Sequence, residues 1–96
     1  MGINYYVITE ARKLHFAKIS SGWPVLFRGY PDLKLTSLAD WIDLIKREEA
    51  SILNEDGKYL SLCEFLYLAT ARRAGPVHQC AISDEQGFQF LTSEFS

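Results

Sequence analysis

Cysteine is scarce in this 96-residue chain, with Cys63 and Cys80 the only two. A single pair of thiols falls short of the dense disulfide framework by which small secreted domains compensate for thin cores, so a reducing cytoplasm is expected. Long apolar runs are missing as well. The longest near the start, Tyr5-Tyr6-Val7-Ile8, is far shorter than a signal-peptide core or the roughly 20 residues that cross a bilayer. Gly2 lacks the downstream hydroxyl that N-myristoylation requires, Tyr6 standing in its place. No membrane association is expected. Neither sign of charge dominates: ten Lys plus Arg against twelve Asp plus Glu leave a net −2. That balance has neither the basic footprint of a nucleic-acid binder nor the acidity of a DNA mimic, so nucleic acid is not an expected partner. What is there, 48% hydrophobic and 23% charged residues, is the composition of an ordinary globular protein, and one domain over residues 1–96 is expected.

Two aromatic and β-branched segments open the chain. Ile3 to Thr9 reads as a strand, and so does Leu14 to Ile19, whose alternation puts Leu14 and Phe16 on one face and His15, Ala17 and Ile19 on the other. Glu10-Ala11-Arg12-Lys13 connects them. After the Ser20-Ser21-Gly22 turn signal, Val25-Leu26-Phe27 forms a third strand of an antiparallel meander, stopped by Gly29-Tyr30-Pro31 because Pro31 cannot donate to a ladder. Ser37 followed by Asp40 opens a helix over 38–49, with Leu38, Trp41, Ile42 and Ile45 at helical spacing. Ser61 with Glu64 is a full capping box. It opens a second helix carrying Leu62, Phe65, Leu66 and Ala69, widened by Cys63, Tyr67 and Leu68, and expected to be the more buried of the two. Gly75-Pro76 ends it, with Arg72 and Arg73 in its last turn. Val77 to Ile82 and Phe88 to Leu91 then make a closing hairpin.

The expected fold is α+β: an antiparallel sheet of five or six strands with two helices packed on one face, in the order βββαβαββ. Its expected core is Tyr5, Val7, Leu14, Phe16, Leu26, Trp41, Ile42, Ile45, Leu62, Phe65, Leu66, Ala69, Ile82, Phe88 and Phe90. The chain also echoes itself at an offset of thirty residues. Ile52, Glu55, Gly57, Glu64 and Phe65 align with Ile82, Glu85, Gly87, Glu94 and Phe95, which repeats a turn with its flanking apolar anchors and would pin Phe95 into the core.

Chemistry-bearing residues do not assemble into a recognised motif. His15, Cys63, His78 and Cys80 equal a zinc site in number, but His78-x-Cys80 is strand spacing and no C-x₂₋₄-C knuckle is present, so no metal is expected. No local sequence marks a Cys-His pair. Lys18-Ile19-Ser20-Ser21-Gly22 lacks phosphate-loop spacing, yet its cation and hydroxyls at a strand end, with His15, make it the candidate ligand site: His15, Lys18, Ser20 and Ser21. Asn54-Glu55-Asp56-Gly57 would place Ile52 at the first ligand position of a calcium loop, where an apolar side chain cannot bind the ion. Aromatic residues, at 14%, exceed what a small core needs. Trp23, Arg28, Tyr30 and Leu33 are accordingly the candidate partner-binding residues, since Trp, Tyr and Arg dominate interface hot spots.

Met1-Gly2-Ile3-Asn4-Tyr5-Tyr6, followed by Leu14-His15-Phe16-Ala17-Lys18-Ile19-Ser20-Ser21-Gly22-Trp23, resembles a family of small uncharacterised phage and prophage proteins. Its members open M-G-T-N-Y-Y and carry L-H-I-G-K-S-S-x-G-W. Leu38-Ala39-Asp40-Trp41 and Ile52-Leu53-Asn54-Glu55-Asp56-Gly57, with Ser61 and Glu64, are similar to the family's continuation, which extends the likeness to about two thirds of the chain. The family's C-x-x-C between the first two blocks is replaced here by Thr9 to Lys13, and its Gly and Ser by Ala17 and Ile19. The resemblance implies a phage or prophage origin. By analogy with small phage proteins that lack catalytic motifs, the expected function is non-enzymatic: binding that inhibits or redirects a host protein or defence complex, with an anti-CRISPR or other anti-defence factor as one form. The alternative is a small-ligand or nucleotide-binding module at the Lys18 strand end. No cofactor is implied.

Overall fold

The computed structural model describes residues 2–20, 23–71 and 81–92. Within them the chain runs β1 (Gly2–Ile8), β2 (Lys13–Ser20), β3 (Leu26–Arg28), a 3₁₀ turn (Pro31–Leu33), α1 (Leu38–Arg47), β4 (Ser51–Asn54), β5 (Tyr59–Leu60), α2 (Leu62–Ala71), β6 (Ile82–Ser83) and β7 (Gln89–Leu91). The α+β class stands. The described strands form one seven-stranded mixed sheet in the order β5-β4-β1-β2-β3-β7-β6, which corrects the expected five or six antiparallel strands and the single strand between the helices. All neighbours are antiparallel except β3 and β7, which run parallel through Leu26↔Gln89, Phe27↔Phe90 and Arg28↔Leu91.

The β1–β2–β3 meander forms as expected, but its register carries a bulge. Tyr5 pairs with Ala17 and Tyr6 with His15, leaving Phe16 as the extra residue on β2. Leu14 and Phe16 therefore face inward on one side of the irregularity and Ala17 on the other, all three buried. Ala17 was expected on the opposite face.

Ser37 caps α1, its Oγ accepting from the Asp40 N–H at 3.2 Å, and the Asp40 carboxylate reaches back to the Thr36 N–H. The helix ends at Arg47 rather than 49, because Glu49 turns left-handed (φ 50°) and lets the Ala50 N–H close on the Ile45 carbonyl. The Ser61–Glu64 box is reciprocal: the Glu64 N–H donates to Ser61 Oγ at 3.1 Å and the Ser61 N–H to Glu64 Oε1 at 3.0 Å. Both helices pack on the same face, meeting at Phe16. Its ring lies 4.8 Å from Trp41 of α1 and 4.6 Å from Phe65 of α2, centroid to centroid.

Of the expected core, Tyr5, Val7, Leu14, Phe16, Trp41, Ile45, Phe65, Ala69, Phe88 and Phe90 are buried, while Ile42, Leu62 and Leu66 are half-buried against it and Leu26 is half-buried. Val25, Phe27, Leu35, Leu38, Leu44, Ile52 and Leu91 are buried as well. Two expectations fail. Ile82 is 63% exposed, and α1 buries Leu38, Trp41, Leu44 and Ile45 where α2, among the described residues, buries Phe65 and Ala69.

The thirty-residue echo is structural at its centre. Asn54 Oδ1 accepts from the N–H groups of Asp56 and Lys58, and Asp84 Oδ1 from those of Gln86 and Phe88, with Gly57 at φ 88° and Gly87 at φ 86°. Ile52 pairs with Leu60 as Ile82 pairs with Phe90. The two hairpins differ in which strand joins the sheet. β4 is the inner strand of the first and β7 of the second, so Ile52 is covered while Ile82 stands on an edge strand. Phe95 and Glu94, like Arg72, Arg73, Gly75-Pro76, Val77, His78 and Cys80, lie outside the described residues.

Candidate functional site

Trp23 stands at the turn between β2 and β3, 52% exposed, held by its N–H to the Ser20 carbonyl and by the buried Pro24 and Val25 that follow. Arg28, Tyr30 and Leu33 gather at the opposite end of β3. The Arg28 guanidinium carbon lies 4.8 Å from the Tyr30 ring centroid, and Arg28 Nε is buried without a hydrogen bond. The Tyr30 ring meets Trp41 edge-on at 5.9 Å, and its hydroxyl accepts from the His15 N–H at 3.2 Å. Tyr30 is therefore partly committed to the fold, satisfying a donor beyond the end of the short β2–β3 ladder. Leu33 is exposed on the 3₁₀ turn. The strand thus separates Trp23 from the other three.

The candidate ligand residues do come together in part. With Tyr5, Val7 and Phe16 facing the helices, alternation puts Asn4, Tyr6, Lys13 and His15 on the other face of the sheet, and the bulge puts Lys18 and Ser20 there too. Contacts across the strands bear this out. Lys13 Nζ sits 4.5 Å above the Tyr6 ring, the His15 and Tyr6 rings are 5.2 Å apart, and His15 Nε2 is 3.0 Å from Asn4 Oδ1. Lys18 and Ser20 crowd Gly2: a Cβ there would overlap Lys18 Cε and Ser20 Oγ. Ser21 and Gly22 are outside the described residues. Register extends the row outward, Tyr6 opposing Leu53 and Leu53 opposing Tyr59, the last 66% exposed. Toward β7 the face closes, since Gln89 and Leu91 are buried.

On the helix side, a groove of about 650 Å³ lies between α2 and the β4–β5 hairpin, lined by Tyr5, Leu60, Cys63, Tyr67, Leu68 and the charged Lys58 and Glu64. Hydrogen bonds from the Ser61 backbone and side chain hold the Glu64 carboxyl below the usual carboxylate range, and the charge of Lys58 adds to the effect. Tyr67, expected on the apolar face, is 78% exposed; it lies off the Leu62-Phe65-Leu66-Ala69 stripe, which is the signal that places it outside. Tyr59 carries a similar signal in its alternation with Leu60. Cys63 is on the helix side of the sheet and His15 on the other, and among the described residues no cluster of three or more His, Cys, Asp or Glu side chains is placed to hold a metal. No described helix is long and apolar enough to cross a membrane.

Comparison with known protein families, with characterised proteins and with solved structures finds no match to this chain.

Proposed function

We propose that the chain is a phage or prophage accessory protein that acts by binding, inhibiting or redirecting a host protein or defence complex in the host cytoplasm, as an anti-CRISPR or other anti-defence factor does. The observation that supports it is the exposure of large aromatic side chains at the sheet rim, with Trp23 half-exposed beside a rigid, buried Pro24-Val25 anchor. Covering apolar surface is worth about 25 cal/mol per Å², and a Trp on a fixed backbone loses little entropy on docking. The phage origin rests on the Met1–Tyr6 and Leu14–Trp23 resemblance.

The test is affinity capture from bacterial lysate with the intact chain and with Trp23→Ala, followed by reconstitution with the purified candidate. One host protein retained by the first and lost by the second, at unchanged melting temperature, is the expected result. Retention indifferent to Trp23 and to Leu33→Ser overturns the reading at this surface.

A second reading, a small-anion or nucleotide site, is favoured by His15, Lys18 and Ser20 sharing the outer face. A thermal-shift screen with phosphate and mononucleotides tests it, and a flat profile removes it.

A further inference from the structure

We infer that the outer face of the sheet, across β5, β4, β1 and β2, binds single-stranded nucleic acid. This extends the second reading above, since it uses the same shared face, but it names a polymer rather than a small ligand. Net charge argues otherwise only when averaged over the chain. The fold sorts the charges: no Asp or Glu stands on any described strand, and Lys13 and Lys18 both point outward from β2. Acids on helices and distant turns lie behind or beside this face, and those farther than a Debye length, about 8 Å at physiological salt, are screened from it. Glu10 in the β1–β2 turn and Glu55 and Asp56 in the β4–β5 turn are the acids in the turns that join these strands, and the Glu55 carboxylate is engaged by the Asn4 N–H at 2.6 Å and by Asn4 Nδ2 at 3.3 Å.

From the two lysines of β2 a row of side chains carrying aromatic faces runs outward across the sheet. Tyr59, Leu53, Tyr6 and His15 oppose one another across four strands. Strands lie about 4.8 Å apart, which puts Tyr59 and Tyr6 about 10 Å from each other, close to three nucleotides at the roughly 3.4 Å rise of a stacked strand. Aromatic faces accept any base, and flanking cations take the phosphates, which is the recipe for sequence-tolerant single-strand binding. Lys13 now covers the Tyr6 ring. A base that takes its place frees the ammonium for a phosphate, so one movement makes both contacts. A duplex, whose bases are already stacked, offers this face only its phosphates.

The experiment is fluorescence anisotropy with labelled oligo-dT and oligo-U of about 15 nucleotides, within the span of known single-strand sites. The unaltered chain is expected to bind at least one, the preferred oligomer showing whether DNA or RNA is the target. Tyr59→Ala, at an exposed edge position, is expected to weaken binding about tenfold. The double variant Lys13→Gln/Lys18→Gln is expected to weaken it similarly and to flatten its salt dependence. Tyr67→Ala, an exposed aromatic of α2 on the helix side of the sheet, is expected to bind as the unaltered chain does. The inference is overturned by failure to bind either oligomer, by equal binding of the Tyr59 and Lys variants, by preference for duplex, or by binding of a polyglutamate peptide in place of both. Full competition by an equal concentration of mononucleotide also overturns it, while leaving the small-ligand reading standing.

Discussion

Asp84 does two jobs where its counterpart Asn54 does one, and the difference is measurable. Oδ1 of each residue closes a β-turn by accepting two backbone N–H groups. The second oxygen of Asp84 also accepts, at 3.0 Å, from the N–H of Leu38, the first residue of α1, 46 positions earlier. That donor has no partner within its own helix, and a carboxylate there meets the positive end of the helix dipole. Asp84→Asn should keep the turn, as Asn54 shows an amide can, but place an NH₂ group or a weaker neutral acceptor against Leu38. The expected loss is about 1–2 kcal/mol, a cap of ~1 kcal/mol plus a dipole contribution of up to ~1 kcal/mol. Asp84→Ala also strips the Gln86 and Phe88 donors and should lose about 3–4 kcal/mol at roughly 1 kcal/mol per hydrogen bond. Urea unfolding at neutral pH measures both, and for a domain this small each kcal/mol lowers the melting temperature by about 4–8 °C. Asn54→Asp is the control and should stay within about 0.5 kcal/mol of the parent. Should Asp84→Asn match the parent in stability, or Asn54→Asp lose as much as Asp84→Asn, the assignment of the second oxygen to α1 is wrong.

Three further outcomes follow from the same bonding. Glu49 holds a left-handed conformation (φ 50°) after α1, so Glu49→Gly should raise stability by about 1 kcal/mol, read as a higher urea midpoint at unchanged slope. Trp41 Nε1–H donates to the part-buried Arg28 carbonyl at 3.0 Å; Trp41→Phe removes that bond and should cost about 1–3 kcal/mol before any cavity cost is added. The Glu64 carboxyl is held below its ordinary value of 4.5, so its ionised form supports the fold. That support is present above the ordinary value and lost as pH falls through the lowered one. Glu64→Gln should therefore remove part of the acid-side decline in a pH series of unfolding midpoints.

Local signals were legible in the residues, and long-range choices were not. Ser37, Ser61 and Glu64 announce both helix starts because capping is settled within four residues. Asn54 and Asp84, each three residues before a glycine, announce both turns for the same reason. The parallel pairing of β3 with β7 joins segments about sixty residues apart, and no local pattern specifies it. Nor does any local pattern say which strand of a hairpin turns inward, and that choice separates buried Ile52 from exposed Ile82. The candidate site divides along the same line. Trp23 is exposed where its turn predicts, whereas Tyr30 is drawn into the fold by Trp41 and by the His15 N–H, partners 11 and 15 residues away.

The bulge at Phe16 joins the core to the outer face. In an unbroken strand, Leu14, Phe16, Lys18 and Ser20 share one side and His15, Ala17 and Ile19 the other, so one register buries Lys18 and exposes Ile19 while the other buries His15 and exposes Leu14 and Phe16. The segment Leu-His-Phe-Ala-Lys-Ile-Ser is therefore incompatible with strict alternation if its polar residues are to stay wet. One extra residue resolves the conflict. It lets Phe16 sit between Trp41 and Phe65 while Ala17 and Ile19 turn inward and Lys18 and Ser20 turn out beside His15. The irregularity that fills the centre of the core thus also assembles the cationic and aromatic side chains on the opposite face. A bulge costs ladder pairing and is retained where it re-aims side chains, and here it re-aims the ones on which both the small-ligand reading and the nucleic-acid inference depend.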